Sequence, residues 1–423
     1  MRVITRHFGP IFIFIFLYAS LVWGQTNWPE FRGPEGDGRI TSESIPLKWS
    51  ETENVRWKTA IHDIGYSTPV IWGDQVWLTT ATKDGTKMYA LCLDFNTGKI
   101  LHDILVFTNT DPQRIHDLNC YATPSPVIEE GRVYVHFGTF GTACYDTRTD
   151  KKVWENRDLH CDHMQGPVSS PILYKDLLIL HFDGSDVQYI AALNKNTGKL
   201  VWKTDRPKEL YVEPAPVYRK SYTTPIIIDW KGALQMISVG GQVVQALNPD
   251  NGTEIWRVVL GGDSSVPSPV YANGLVYINA GYHARTPSLW AISVDGKGDV
   301  TDTHVRWKTD KDISNEASPV IQDGLMYVVN DRGSAACYDA VTGQVYWEHR
   351  LAGTYGASLI ANKDRVYFFS KKGLCTVFAT GKTKKILAEN VLDDGFKASP
   401  AVKDSVLILR TLSHVYRIEN IDK

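Results

Sequence analysis

The chain has 423 residues, 43% of them hydrophobic, and a formal net charge of −2. That length allows a large buried core, arranged either as two or three domains or as one repeat array. The near-zero charge provides no global basic field for nucleic acid, and there is no acidic tail.

In chain order, the first element reads as an export signal. Arg2 and Arg6 form a short basic region, residues 8–23 are apolar, and Val22 and Gly24 allow cleavage before Gln25. An uncleaved anchor is the competing reading, but the apolar run falls short of the roughly 20 residues a spanning helix needs. No cysteine follows for a lipid anchor, and no later segment is long and apolar enough to span. A periplasmic or secreted protein without a membrane span is therefore expected, with a signal at 1–24, an N-terminal arm at 25–53 and a repeat domain at 54–423.

From Ser67 onward one unit recurs. It opens with Ser/Thr-Pro-hydrophobic, a tight turn and an alternating apolar run, as in "STPVIWGDQVWLTT" at Ser67, "PSPVIEEGRVYVHF" at Pro124 and "TTPIIIDWKGALQM" at Thr223. It closes with phrases such as "ACYDAVTGQVYW" at Ala336 and "ALNKNTGKLVW" at Ala192. Eight starts fall at 67, 124, 169, 223, 267, 317, 357 and 398, the seventh with Leu359 in place of proline. Such a period signals a propeller or solenoid. Each unit holds four β-length runs separated by Gly, Asp and Asn turns, which predicts four-stranded antiparallel blades, with strands a to d running from axis to rim. Gly in the c–d turns supplies positive φ, and Trp154, Trp202, Trp256, Trp307 and Trp347 fall on strand d, where a large ring fills the widening wedge between blades.

The eighth unit ends one strand short at "HVYRIEN", and residues 54–60, "NVRWKTA", carry the missing strand d signature. The expectation is an all-β, eight-bladed propeller whose ring is closed by strand 54–60, leaving no open edge. Cys92, Cys144, Cys337 and Cys375 occupy the same repeat position, too far apart to bridge within the ~7 Å Cα limit, so they are expected to be small buried residues. Cys120 and Cys161 lie outside the repeat, and their pairing stays open.

The recurring S-P-V, G-x-V-Y-V and A-x-D-x-x-T-G-x-x-x-W pattern resembles the PQQ-like eight-bladed β-propellers, which include quinoprotein alcohol dehydrogenases and the propeller lipoprotein of outer-membrane assembly. With "NWPEFRGPEGDG", "VYVHFGTFGTACYD" and "GPVSSPIL" the chain is similar to a secreted branch found in polysaccharide-degrading bacteria. The resemblance covers residues 28 to about 420 and is specific for fold; a fold hosts unrelated functions. It implies adjacent cysteines beneath the quinone in the redox members, often with a haem motif, and this chain has neither Cys-Cys nor C-x-x-C-H. PQQ is accordingly not expected as a cofactor.

Strand order puts the b–c and d–a loops on one face, and the long loops 104–120, 156–168, 203–221 and 280–288 belong there. Arg114, His116 and Tyr121 fall in the first of these, and His160, Asp162 and His163 in the second. Tyr282, His283 and Arg285 share the fourth, while His181, Asp183 and Tyr189 flank another b–c turn. Proton abstraction beside a uronate carboxylate needs a positioned base and a cation for the enolate. His116, His163, Tyr282 and His283 are the candidate acid–base groups, and Arg114, Tyr189 and Arg285 the candidate substrate binders. An acidic oligosaccharide is then the expected ligand of a monomeric lyase or dehydratase. His160 and His163 with a facing carboxylate leave a divalent metal open. The alternatives are a non-catalytic periplasmic binding or assembly scaffold and, further off, a PQQ-binding oxidoreductase.

Overall fold

Short runs of β-branched and aromatic residues cannot bury a face alone, and here they pair in sets of four. The computed structural model of the protein describes residues 27–42, 44–262, 265–281 and 287–421. These contain eight sheets. The first comprises Val70–Trp72, Gln75–Ala81, Lys87–Asp94 and Ile100–Thr108, paired in chain order. We call it blade one, with strands a to d. Blades two to seven repeat the order through 127–156, 172–205, 226–259, 270–309, 320–350 and 360–391. Val70–Trp72 touches both Val127–Glu129 and Ala401–Lys403, so strands a surround a central channel and strands d form the rim.

Blade eight takes Ala401–Lys403, Val406–Arg410 and His414–Ile418 from the C-terminus and Val55–Ala60 from the other end of the propeller. The last two pair antiparallel, Lys58 opposite Tyr416, and close the ring as the repeat count requires. Blade four departs from the pattern, because Gly298–Asp299 adds a fifth strand parallel to Glu254–Val259.

Packing between blades explains the repeated phrase. Gly198, at φ +70°, turns the c–d hairpin of blade three, and a β-carbon there would lie 2.5 Å from the Trp154 ring of blade two. Trp57, Trp154, Trp307 and Trp347 each donate their indole N–H to a carbonyl on the next blade's turn, whereas Trp256 donates to Gln235 Oε1 of its own blade and, among the described residues, Trp202 Nε1 has no partner. Trp154 bonds Lys195 O at 2.8 Å, Trp57 bonds Phe95 O at 2.9 Å and Trp347 bonds Gly381 O at 3.1 Å. The small repeat position faces the same ring within its own blade: Cys144 opposes Trp154, Ala192 opposes Trp202 and Cys337 opposes Trp347. All six cysteines are free and buried. Cys120 Sγ lies 3.3 Å from Thr123 Oγ1 and Cys161 Sγ 3.6 Å from the His163 ring, which answers the pairing question.

The arm crosses one end of the channel. Ile71 N donates to Trp28 O at 2.8 Å, Ile128 N to Pro29 O at 2.8 Å, and Ile40 N to Ala361 O at 2.8 Å. These partners sit on strands a of blades one, two and seven. Arg32, 1% exposed, donates to Pro319 O of blade six and, at 2.6 Å, to Asp37 O. Burial lowers its guanidinium to about 10, opposed by the nearby Asp37 carboxylate. Every one of these blade partners lies at or beyond the proline position of its unit. The arm therefore closes the end remote from the d–a loops.

Candidate functional site

The Ser/Thr of each Ser/Thr-Pro signature sits at the axis, where strand a begins. Its hydroxyl accepts the backbone N–H of the equivalent residue in the preceding blade. Thr68 N donates to Ser125 Oγ at 2.9 Å, Ser125 N to Ser170 Oγ at 2.9 Å and Ser170 N to Thr224 Oγ1 at 3.0 Å. The chain continues through Ser268 at 3.2 Å, Ser318 at 3.0 Å, Ser358 at 3.1 Å and Ser399 at 2.9 Å. Proline cannot donate, so the residue before it carries the inter-blade bond, which a strand-start reading of the signature does not reveal. The circle breaks once, at the seam between blades eight and one, where the buried Thr68 Oγ1 has no partner.

These hydroxyls line a cavity of about 180 Å³ that also receives Phe31 from the arm. Two residues before each hydroxyl, toward the loop face, a second layer lines the same cavity. Unlike the first it is chemically diverse. Blades one, six, seven and eight contribute Tyr66, Glu316, Gly356 and Lys397; blades two to five contribute Thr123, Val168, Tyr222 and Val266. Lys371 Nζ pairs with Glu316 at 2.6 Å, and a β-carbon on Gly356 would lie 2.4 Å from Glu316 Oε2 and 2.5 Å from Lys371 Cε. Glycine there leaves room for that ion pair. Lys397 Nζ lies 4.3 Å over the Tyr66 ring and donates to Tyr66 Oη at 3.2 Å and Leu118 O at 3.0 Å. Burial pushes the Tyr66 phenol up to about 12.

Above this layer the d–a loops of blades one to three are bonded to one another. Asn119 Nδ2 donates to Gln165 O at 2.8 Å, His163 N to Gln113 Oε1 at 3.0 Å, and Tyr222 Oη to His163 O at 3.1 Å and Gln165 Oε1 at 2.9 Å. The exposed apolar side chains Leu118, Met164 and Val212 sit one on each loop.

The sequence-derived site residues divide among these features. His116 is exposed at the cavity mouth, its Nδ1 accepting Leu118 N–H at 3.1 Å. Arg114 joins it in an adjoining depression with Asp117, Met164 and Gln165. His163 and Tyr189 are buried. His163 Nε2 accepts Thr139 N–H at 3.0 Å, and burial lowers the ring to about 4. Tyr189 donates to His160 O at 3.0 Å and stacks on Phe182, and burial raises its phenol. Tyr282, His283 and Arg285 lie outside the described residues. Below these loops, Asp183 and Arg206 form a fully buried bidentate pair at 2.9 and 2.7 Å. His181 Nε2 lies 3.0 Å from Ser238 Oγ, and burial holds the ring neutral. Among the described residues no three His, Cys, Asp or Glu side chains are grouped to hold a metal.

Sequence reasoning passed over the second layer because its signal is positional. Tyr66, Val168, Glu316 and Lys397 share nothing except standing two residues before a Ser/Thr-Pro hydroxyl.

A family model described as outer membrane protein assembly factor BamB matches residues 92–209 and 239–384. Outer membrane protein assembly factor BamB of Yersinia pestis is 24% identical over 178 residues, covering 40% of this chain and 41% of that protein. Quinoprotein alcohol dehydrogenase PedH of Pseudomonas putida is 32% identical over 145 residues, covering 31% of this chain and 22% of that protein. The matches thus span about two-fifths and one-fifth of these curated relatives. Among solved structures, the quinohemoprotein alcohol dehydrogenase of Comamonas testosteroni superposes with TM-score 0.65 at 12% identity, covering 94% of this chain and 81% of that one. BamB of Moraxella catarrhalis gives 0.59 at 11%, covering 86% and 99%. At such identities the structural likeness concerns the fold.

Proposed function

The chain belongs to the family described as outer membrane protein assembly factor BamB, and from that membership we propose that it is an exported, monomeric, non-catalytic scaffold that binds an extended polypeptide on its d–a loop face. The observation that carries this reading is the set of three loops, hydrogen-bonded into one surface and each presenting an apolar side chain to solvent: Leu118, Met164 and Val212. Exposed apolar groups on a rigid polar rim suit protein contact. Burial of His163 and the use of its Nε2 to hold Thr139 N–H fit a structural part in that surface. The relative's assembly role suggests unfolded outer-membrane β-barrel segments as the polypeptide. Cleavage near Gly24 would deliver the mature chain to the periplasm.

The test is fluorescence anisotropy with a labelled β-strand peptide from an outer-membrane barrel protein. Wild type should bind saturably, and Leu118→Asp/Val212→Asp should weaken binding at least tenfold. Equal binding by both proteins, or none by wild type, would remove the reading.

A second reading rests on Arg114 standing beside His116 in a solvent-open depression. A carboxylate clamp next to an imidazole suits β-elimination on a uronate, with His116 Nδ1 exchanging its bond from Leu118 N–H for the C5 proton while the group at C4 departs. It requires new near-ultraviolet absorbance when uronate oligosaccharides are added, and loss of that signal in His116→Ala.

A further inference from the structure

The channel is plugged at one end by the arm and lined by two layers of opposite character. A hydroxyl has one proton to donate and two lone pairs. In seven units a lone pair is filled by a neighbouring amide, as described above, and among the described residues no hydrogen bond from any of the seven hydroxyls to a protein acceptor is found. Buried hydroxyls need partners, so the ring offers donors to whatever occupies the axis. The second layer adds charge on one side. Lys371 neutralises Glu316, whereas Lys397 has hydroxyl, carbonyl and aromatic partners and, among the described residues, no carboxylate. Opposite Lys397 across the eight-fold ring stands Tyr222 of blade four, flanked by Val168 and Val266, with Phe31 rising from the arm. One side of the cavity is cationic, the other apolar, and the base is rich in O–H donors.

We propose that this cavity binds a small carboxylate carried on an apolar ring or chain, the carboxylate held by Lys397 and the hydroxyl layer and the apolar body held against Val168, Tyr222 and Val266. A charge-assisted hydrogen bond from Lys397 is the strong polar contact, and the hydroxyl ring complements it, while the carboxylate that lines the cavity, Glu316, is already paired with Lys371. The cavity volume of about 180 Å³ sets the scale at a single ring rather than an oligomer. The site does not rest on the polypeptide-binding reading, since its contacts face the axis and not the loop tips.

Benzoate is the probe, with benzamide as its neutral counterpart and galacturonate as a carboxylate on a polar ring, each titrated into the full-length mature protein by calorimetry. Benzoate should bind saturably and at least tenfold tighter than benzamide or galacturonate. Lys397→Met should weaken it at least tenfold, and Val168→Trp, which fills the cavity from a half-buried position, should abolish it. Val212→Asp, at a loop tip, should bind benzoate like wild type. Thermal melting of each variant separates a lost site from a lost fold. No binding of benzoate at millimolar concentration would overturn the proposal, as would equal binding of benzamide, tighter binding of galacturonate, or undiminished binding by folded Lys397→Met and Val168→Trp.

Discussion

Blades two to four and blades six to eight use the same repeat and are built differently. Between blades six and eight the d–a connections are short, 351–359 and 392–400, Phe378 stacks on Trp347 and lies edge-on to Phe368, and among the described residues the buried charges are the cations Lys403 and Arg410, with no buried histidine or carboxylate. On the other side the connections are 109–126, 157–171 and 206–225, and beneath them lie buried His136, His163, His181, Asp183 and Arg206. The repeat supplies the apolar wedge everywhere. Long loops folded back over the blades bring polar groups inside, and each must then find a partner or shed its charge. The elaborated half should therefore respond to acid where the plain half, which among the described residues buries no histidine or carboxylate, does not.

The largest effect should follow from breaking the buried ion pair. Asp183→Ala strands the Arg206 guanidinium, which is 0% exposed in its side chain and otherwise held by Gln245 at 2.9 Å. A loss of about 3–5 kcal/mol is expected in chemical denaturation, and replacing both partners with well-packed apolar residues should recover most of it. A double variant as unstable as Asp183→Ala would show that the pair itself, rather than the stranded charge, stabilises this half.

Acid should act next, and on the same half. Burial lowers His136 to about 3, with His163 adding repulsion, and lowers His163 to about 4, from ordinary values near 6.5. Between those values and 6.5 the unfolded chain binds protons that the folded chain does not. Stability therefore rises with pH across that window and is lost as pH falls from about 6.5 toward 4. Melting temperatures from pH 7 to pH 4.5 should fall, and His163→Gln, which retains an acceptor for Thr139 N–H, should flatten the decline. An unchanged slope in that variant would contradict a neutral buried imidazole.

The smallest effects sharpen the account of the hydroxyl ring. Ser318→Ala leaves Ser268 N–H without its acceptor and should cost about 1–3 kcal/mol, while Thr68→Val, at the seam where Oγ1 has no partner, should be close to neutral. Equal costs at the two positions would mean that the inter-blade bonds do not stabilise the channel.

The architecture was legible because its signals are local and repeated. The Gly–Trp spacing of the c–d hairpin, the Ser/Thr-Pro starts and the stray strand around Trp57 each state a rule that the closed ring obeys. For the candidate site residues, position at the loop surface was legible only where exposure follows loop membership, as for Arg114 and His116. His163 and Tyr189 sit in or beside the same loops and are buried, because those segments fold inward over blade three and no periodicity marks that turn. The two-layer channel was hidden for the opposite reason: its lower layer was visible but read as a strand start, and its upper layer varies from blade to blade. The plug was hidden too, since the Trp28–Arg39 stretch carries no strand or helix period to announce that it crosses four inner strands.

The central claim is that the three bonded d–a loops form one polypeptide-binding surface. Hydrogen exchange of the mature protein with and without the barrel-derived peptide tests it most directly. Peptide should slow exchange in 113–119, 163–168 and 210–219 together and leave the connections at 351–359 and 392–400 unchanged. Protection confined to the rim strands or to the short-looped half, or protection of one long loop without the others, would contradict it.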